Sequence, residues 1–166
     1  MVILRHTDAG PGSPATEPIE ERLAAVEGAE AARIVLARYA DAVDAQDLGA
    51  ASALLDRAMV LSIGDLTVDG FDDVVEFLRG AFADDPSRKS HFVTNMAPRW
   101  LGDGNVHIDA YFLWTGGAES QSIIGWGTYS ARVKVRDGVG QLTKLEIAIR
   151  HMGDIREGWM FGTESE

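Results

Sequence analysis

The 166-residue chain contains no cysteine. Disulfide frameworks, thiolate metal sites and cysteine nucleophiles are thereby excluded, and the composition suits a reducing compartment. Positive charge is scarce. Lys+Arg number 15 against 26 Asp+Glu, a formal charge of -11, and only Lys89, Lys134 and Lys144 are lysines. Such a surplus opposes phosphate backbones and anionic membrane surfaces, so neither nucleic acid nor membrane is an expected partner. Long apolar runs are also missing. None approaches the ~20 residues of a spanning helix, and residues 1–6 lack the basic region and apolar core of an export signal. The expected location is cytoplasmic. Proline is sparse and uneven: Pro11, Pro14 and Pro18 fall near the start with Gly10 and Gly12. Residues 1–18 therefore read as a disordered leader.

The length suits one domain, large enough to bury a core without staples. Charge divides it. Residues 41–85 carry a net -9, while residues 86–166 are balanced. The acidic part reads as helical. Residues 19–47 have one glycine and no proline; Leu23, Val26, Glu30, Ile34, Ala37 and Asp41 trace one stripe, and Val35, Tyr39 and Val43 a neighbouring one. Asp47 is placed to cap a short helix over 48–55. A strand over 58–63 meets one over 66–69 through Gly64-Asp65, which suits a type II′ turn. Residues 71–82 have helical apolar spacing, with Asp72 and Asp73 at the positive dipole end.

Beyond Pro86 the period changes to two, over 91–101, 105–115, 121–136 and 141–151, with glycine-rich breaks between. Val106, Ile108, Ala110, Phe112 and Trp114 make one apolar face against His107, Asp109 and Tyr111. Segregated helices and strands predict an α+β fold: three N-terminal helices on a strongly curved, mostly antiparallel sheet.

Three local patterns carry a family resemblance. They are Arg38-Tyr39-Ala40-Asp41-Ala42-Val43-Asp44-Ala45-Gln46-Asp47, Ser90-His91-Phe92-Val93-Thr94-Asn95 and Gly127-Thr128-Tyr129. With the element order, they resemble the cone-fold superfamily of nuclear transport factor 2, in particular its SnoaL-like branch of polyketide cyclases, scytalone dehydratase and bile-acid dehydratase. The resemblance spans residues 19–151 and implies a cone-shaped barrel enclosing a pocket. It leaves 152–166 as a tail, whose Trp159, Met160 and Phe161 suit a lid or an interface segment. The dehydratases move protons with a tyrosine, an aspartate and a strand histidine, which match Tyr39, Asp44 and His91. Scytalone dehydratases use a second pocket histidine on the next strand, and His107 does not fall at that place. The resemblance also implies a homo-oligomer, most often a dimer.

The residues themselves support that chemistry. Asp44 lies with Asp41 and Asp47 at a helix C-terminus, where the dipole disfavours carboxylates by ~0.3–1 kcal/mol each. Breaking a local rule without evident gain is a habit of functional sites. His91 can accept and return a proton near neutrality, and a carboxylate on its second nitrogen would stabilise the imidazolium. Tyr39 could polarise a carbonyl, although five helical steps set it about 140° from Asp44. Asn95 and Tyr129 are candidates to orient a polar ligand group; Phe112, Trp114 and Trp126 are candidates for apolar wall. His107 and Asp109 are too few for a metal site, and no cofactor motif is present. The expected activity is cofactor-independent cyclisation, dehydration or isomerisation of a hydrophobic, oxygenated small molecule, of polyketide or terpenoid type by the resemblance. The alternatives are a pericyclic cyclase acting by shape, and a non-catalytic binding or partner subunit like the small subunit of ring-hydroxylating dioxygenases.

Overall fold

The computed structural model describes residues 18–85, 87–118 and 121–155. Helix α1 (Ile19–Asp44) leads to α2 (Leu48–Ala53), a hairpin of β1 (Leu55–Ile63) and β2 (Leu66–Asp69), and helix α3 (Phe71–Asp84). Four long strands follow: β3 (Arg88–Gly102), β4 (Asn105–Ala118), β5 (Gln121–Arg136) and β6 (Val139–Asp154).

Helix α1 stops three residues short of the expected 47. Gln46 turns left-handed (φ 52°); its N–H reaches Val43 O at 3.1 Å and the Asp47 N–H reaches Ala42 O at 2.9 Å. These crossed bonds satisfy carbonyls that the helix end would leave open. Asp47 then caps α2, accepting the Ala50 N–H at 2.9 Å. The buried face of α1 also differs from the leading stripe read from sequence. Leu23, Val26 and Ile34 are exposed, whereas Gly28, Ala31, Ala32, Val35, Leu36 and Tyr39 are buried. Small residues let the helix lie close to the sheet, and a Cβ at Gly28 would stand 2.5 Å from the Trp100 ring. Close approach overrode the more hydrophobic stripe.

The sheet is mixed, curved and unclosed, in the order β2-β1-β6-β5-β4-β3. Strands β3 to β6 form the expected antiparallel meander. Strand β1 instead runs parallel to β6, with Leu61 opposite Leu145 and Ile63 opposite Ile147. The core lies between this sheet and the helices. Leu36, Met59, Leu61, Val74, Ile108 and Leu145 are at most 1% exposed, and each such burial contributes about 1.5–3 kcal/mol. Strand β6 runs to Asp154, pairing Met152 with Gly125 and Asp154 with Ile123. Residues 152–154 are therefore strand and not tail. The leader residues 1–17 and the tail residues Trp159, Met160 and Phe161 lie outside the described residues. Among the described residues, no helix is long and apolar enough to cross a membrane.

Candidate functional site

Alternation along β3 and β4 turns His91, Val93, Phe112 and Trp114 to the side that faces the helices, with His91 opposite Trp114 and Val93 opposite Phe112. Together with α1, α3 and β6 these strands bound a cavity of about 250 Å³. Tyr39 and Val43 reach it from α1, Phe77 and Phe82 from α3, and Tyr129 and Ile147 from β5 and β6. The wall is mostly apolar. Phe112 stacks on Tyr129 with centroids 4.5 Å apart, and the His91 ring lies 6.2 Å from Phe112 and 6.3 Å from Trp114.

Asp44 binds His91 at the entry to β3. Its Oδ2 accepts the His91 backbone N–H at 2.7 Å, and its Oδ1 lies 2.5 Å from Nδ1 of the ring. Both side chains are largely buried, 11% exposed for His91 and 20% for Asp44. With Nδ1 engaged, Nε2 is the ring nitrogen left for a ligand. Asp44 is not itself on the cavity wall; it stands behind His91. The 140° between Tyr39 and Asp44 is thereby accommodated without unwinding the helix. Tyr39 points into the cavity directly, and Asp44 reaches it through the histidine.

Tyr39 and Tyr129 are 3% and 4% exposed, and burial pushes both phenols well above their ordinary value. The Tyr39 and Asp44 charges push Tyr129 further up. Neither phenol meets a hydrogen-bond partner among the described residues. Two protonated donors thus border the cavity that His91 enters.

Two of the expected ligand-binding residues, Asn95 for a polar group and Trp126 for the apolar wall, lie elsewhere. Asn95 sits in a bulge between Thr94 and Ala97 with φ 52°. The extra residue shifts the alternation, so Met96 packs on the core while Asn95 is exposed beside Arg99 and His107 on the opposite face. Trp126 falls between Gly125 and Gly127, whose Cβ positions would meet Trp114 and Phe112. It therefore faces outward, opposite Leu113 and stacked on His151 at 4.4 Å. His107 and Asp109 share that outer face, 3.0 Å apart. No cluster of three or more metal-ligating residues occurs among the described residues.

The sequence reading missed Asp85 and Lys89, which form an ion pair on the cavity wall. Lys89 lies two residues before His91 on one strand, so the alternation that placed His91 held the signal. Partial desolvation raises the Asp85 carboxyl, but hydrogen bonds from Lys89 and from the Ser87 hydroxyl and backbone outweigh it and hold the group down at about 2.

Residues 24–146 match the SnoaL-like domain family. No curated protein matches the chain. Among solved structures, the type 2 hexachlorocyclohexane dehydrochlorinase LinA is 19% identical, with a TM-score of 0.71 over 82% of this chain and 93% of that one. The type 3 LinA of Novosphingobium barchaimii is 18% identical, with a TM-score of 0.70 over 82% and 94%. A scytalone dehydratase-like protein of Novosphingobium aromaticivorans is also 18% identical, with a TM-score of 0.68 over 82% and 87%. At these identities the likeness is one of fold.

Proposed function

Because the chain belongs to the SnoaL-like domain family, we propose that it is an enzyme of the dehydratase, cyclase or isomerase type, moving a proton on a small molecule held in the cavity. The observation that carries this is the Asp44–His91 pair, which fixes Nδ1 and leaves Nε2 toward the apolar chamber. In the first step Nε2 takes a proton from a carbon next to a carbonyl. The C–H electron pair moves toward the carbonyl oxygen, and Asp44 stabilises the imidazolium. Tyr39 and Tyr129 donate to the oxygen on which negative charge develops. The imidazolium then returns its proton. Delivered to a departing hydroxyl it releases water; delivered to another carbon it completes an isomerisation; where the enolate carbon first adds to a second carbonyl of the same molecule and closes a ring, it neutralises the alkoxide that results.

The lining supports a hydrophobic ligand with at least one oxygen, of polyketide or terpenoid type. Self-association through the outer sheet face belongs to the same reading, supported by exposed Phe92 beside Leu113.

Exchange of the α-hydrogens of 2-tetralone in deuterated buffer, followed by NMR, tests the proton transfer. The wild-type protein accelerates exchange, and His91→Ala lowers the acceleration by about 10²–10⁴-fold. Equal acceleration by His91→Ala and wild type, with both folded by circular dichroism, overturns the assignment and leaves a binding cavity.

A further inference from the structure

Lys89 does not belong in an apolar wall. Its side chain is 16% exposed, it borders the same cavity as His91, and among the described residues its ammonium is paired with Asp85 alone. An ammonium has three donors. The other two are left over in a chamber whose remaining polar groups are His91, Tyr39, Tyr129 and the Trp114 indole N–H.

The pair is well anchored. Asp85 ends α3 in extended conformation (φ -116°), accepts the Ser87 N–H at 2.9 Å on its own Oδ1, and has its backbone carbonyl held by Gln46 Nε2 at 2.7 Å. Gln46 is the left-handed residue that ends α1. The turn that delivers Asp44 to His91 therefore also fixes Asp85 for Lys89. On β3, Lys89 and His91 are two residues apart, and two steps of antiparallel strand span about 7 Å.

Charge decides what those free donors can take. One ammonium stands against the carboxylates of Asp85 and Asp44, so a ligand carboxylate would add to a local negative surplus. A neutral oxygen would not.

We propose that Lys89, held by Asp85, determines specificity by receiving a second, uncharged oxygen of the ligand, away from the end on which His91 acts. The cavity then selects neutral molecules with an apolar body and oxygens at both ends, and discriminates against their carboxylates. The inference rests on the proton-transfer reading only for which end of the ligand His91 holds.

Calorimetric titration with 2-naphthol, 2,6-dihydroxynaphthalene and 6-hydroxy-2-naphthoate tests it, because binding is read without turnover. The wild-type protein binds the diol about tenfold more tightly than 2-naphthol and more tightly than the naphthoate. Lys89→Met brings the diol to within about twofold of 2-naphthol. The double variant Lys89→Met/Asp85→Asn, which leaves no unpaired charge, gives the same result should the single variant fold poorly. A diol preference that survives both variants overturns the proposal, as does a wild-type preference for the naphthoate. The two readings fail separately. Absent tetralone exchange with an intact, Lys89-dependent diol preference refutes the proton transfer alone, whereas normal exchange without that preference refutes the role of Lys89 alone.

Discussion

Asp44 grips His91 at two points, the backbone N–H and the ring Nδ1. One carboxylate thereby ties the end of α1 to β3 and fixes which ring nitrogen faces the cavity. A second acceptor oxygen is what the arrangement needs, and asparagine has only one.

The first consequence is a fixed tautomer. Neutral His91 carries its proton on Nδ1, with Nε2 free to accept. Nitrogen-15 NMR of the ring reads this directly. Asp44→Ala moves the population toward the Nε2–H form and lowers stability by about 1.5–3 kcal/mol in urea unfolding, the usual loss for hydrogen bonds to a charged group. An unchanged tautomer would place no orienting role on Asp44.

Acid sensitivity follows from Asp85. Its carboxyl is held at about 2 in the folded chain, against roughly 3.9 when unfolded. As pH falls, the unfolded chain binds the proton first. The stabilisation is complete above about pH 4 and is lost as pH falls through about 2. Urea midpoints of wild type and Asp85→Asn should therefore converge between about pH 4 and pH 2. A gap of constant size across that window would show that the pair does not stabilise the fold.

Gly28 tests the seating of α1. A Cβ there would lie 2.5 Å from Cζ3 and 2.7 Å from Cε3 of Trp100, and 3.3 Å from Val106. Trp100 packs against the core and Val106 is fully buried, so neither yields freely. Gly28→Ala gains helix propensity of about 1 kcal/mol, but overpacking of this kind costs about 1–3 kcal/mol. Net destabilisation is the expected outcome in thermal unfolding, and a gain in stability would show that the ring moves aside.

Periodicity made most of the elements legible, because helix and strand spacing are local properties. The four long strands and α3 follow the apolar pattern closely, and Asp47 caps α2 as its position suggested. Contacts that depend on partners far along the chain were hidden. Nothing near Leu61 announces that it will lie beside Leu145, since parallel register is set by the whole sheet. The Asn95 bulge was equally invisible: one extra residue reverses the faces beyond it, and no glycine marks the spot. At the site, Asp44 stood out as a carboxylate at a helix C-terminus and His91 as a group that titrates near neutrality, whereas Tyr39 and Tyr129 were singled out chiefly by the patterns that carry the family resemblance. Lys89 was passed over because a lysine on an alternating strand ordinarily faces water, and only its pairing with Asp85 places it on the wall.

The parallel pairing of β1 with β6 bears on how the chain reaches this state. Residues 55–63 emerge well before their sheet neighbour, which ends at Asp154. Closing so long a loop is slow. Until the last strand is made, Leu61 and Ile63 have only β2 beside them, and a two-stranded hairpin is marginal alone. The β1 side of the cavity must wait for that strand. The chamber is thus closed only with β6, and until then the nascent chain carries the β1 side of its apolar lining uncovered.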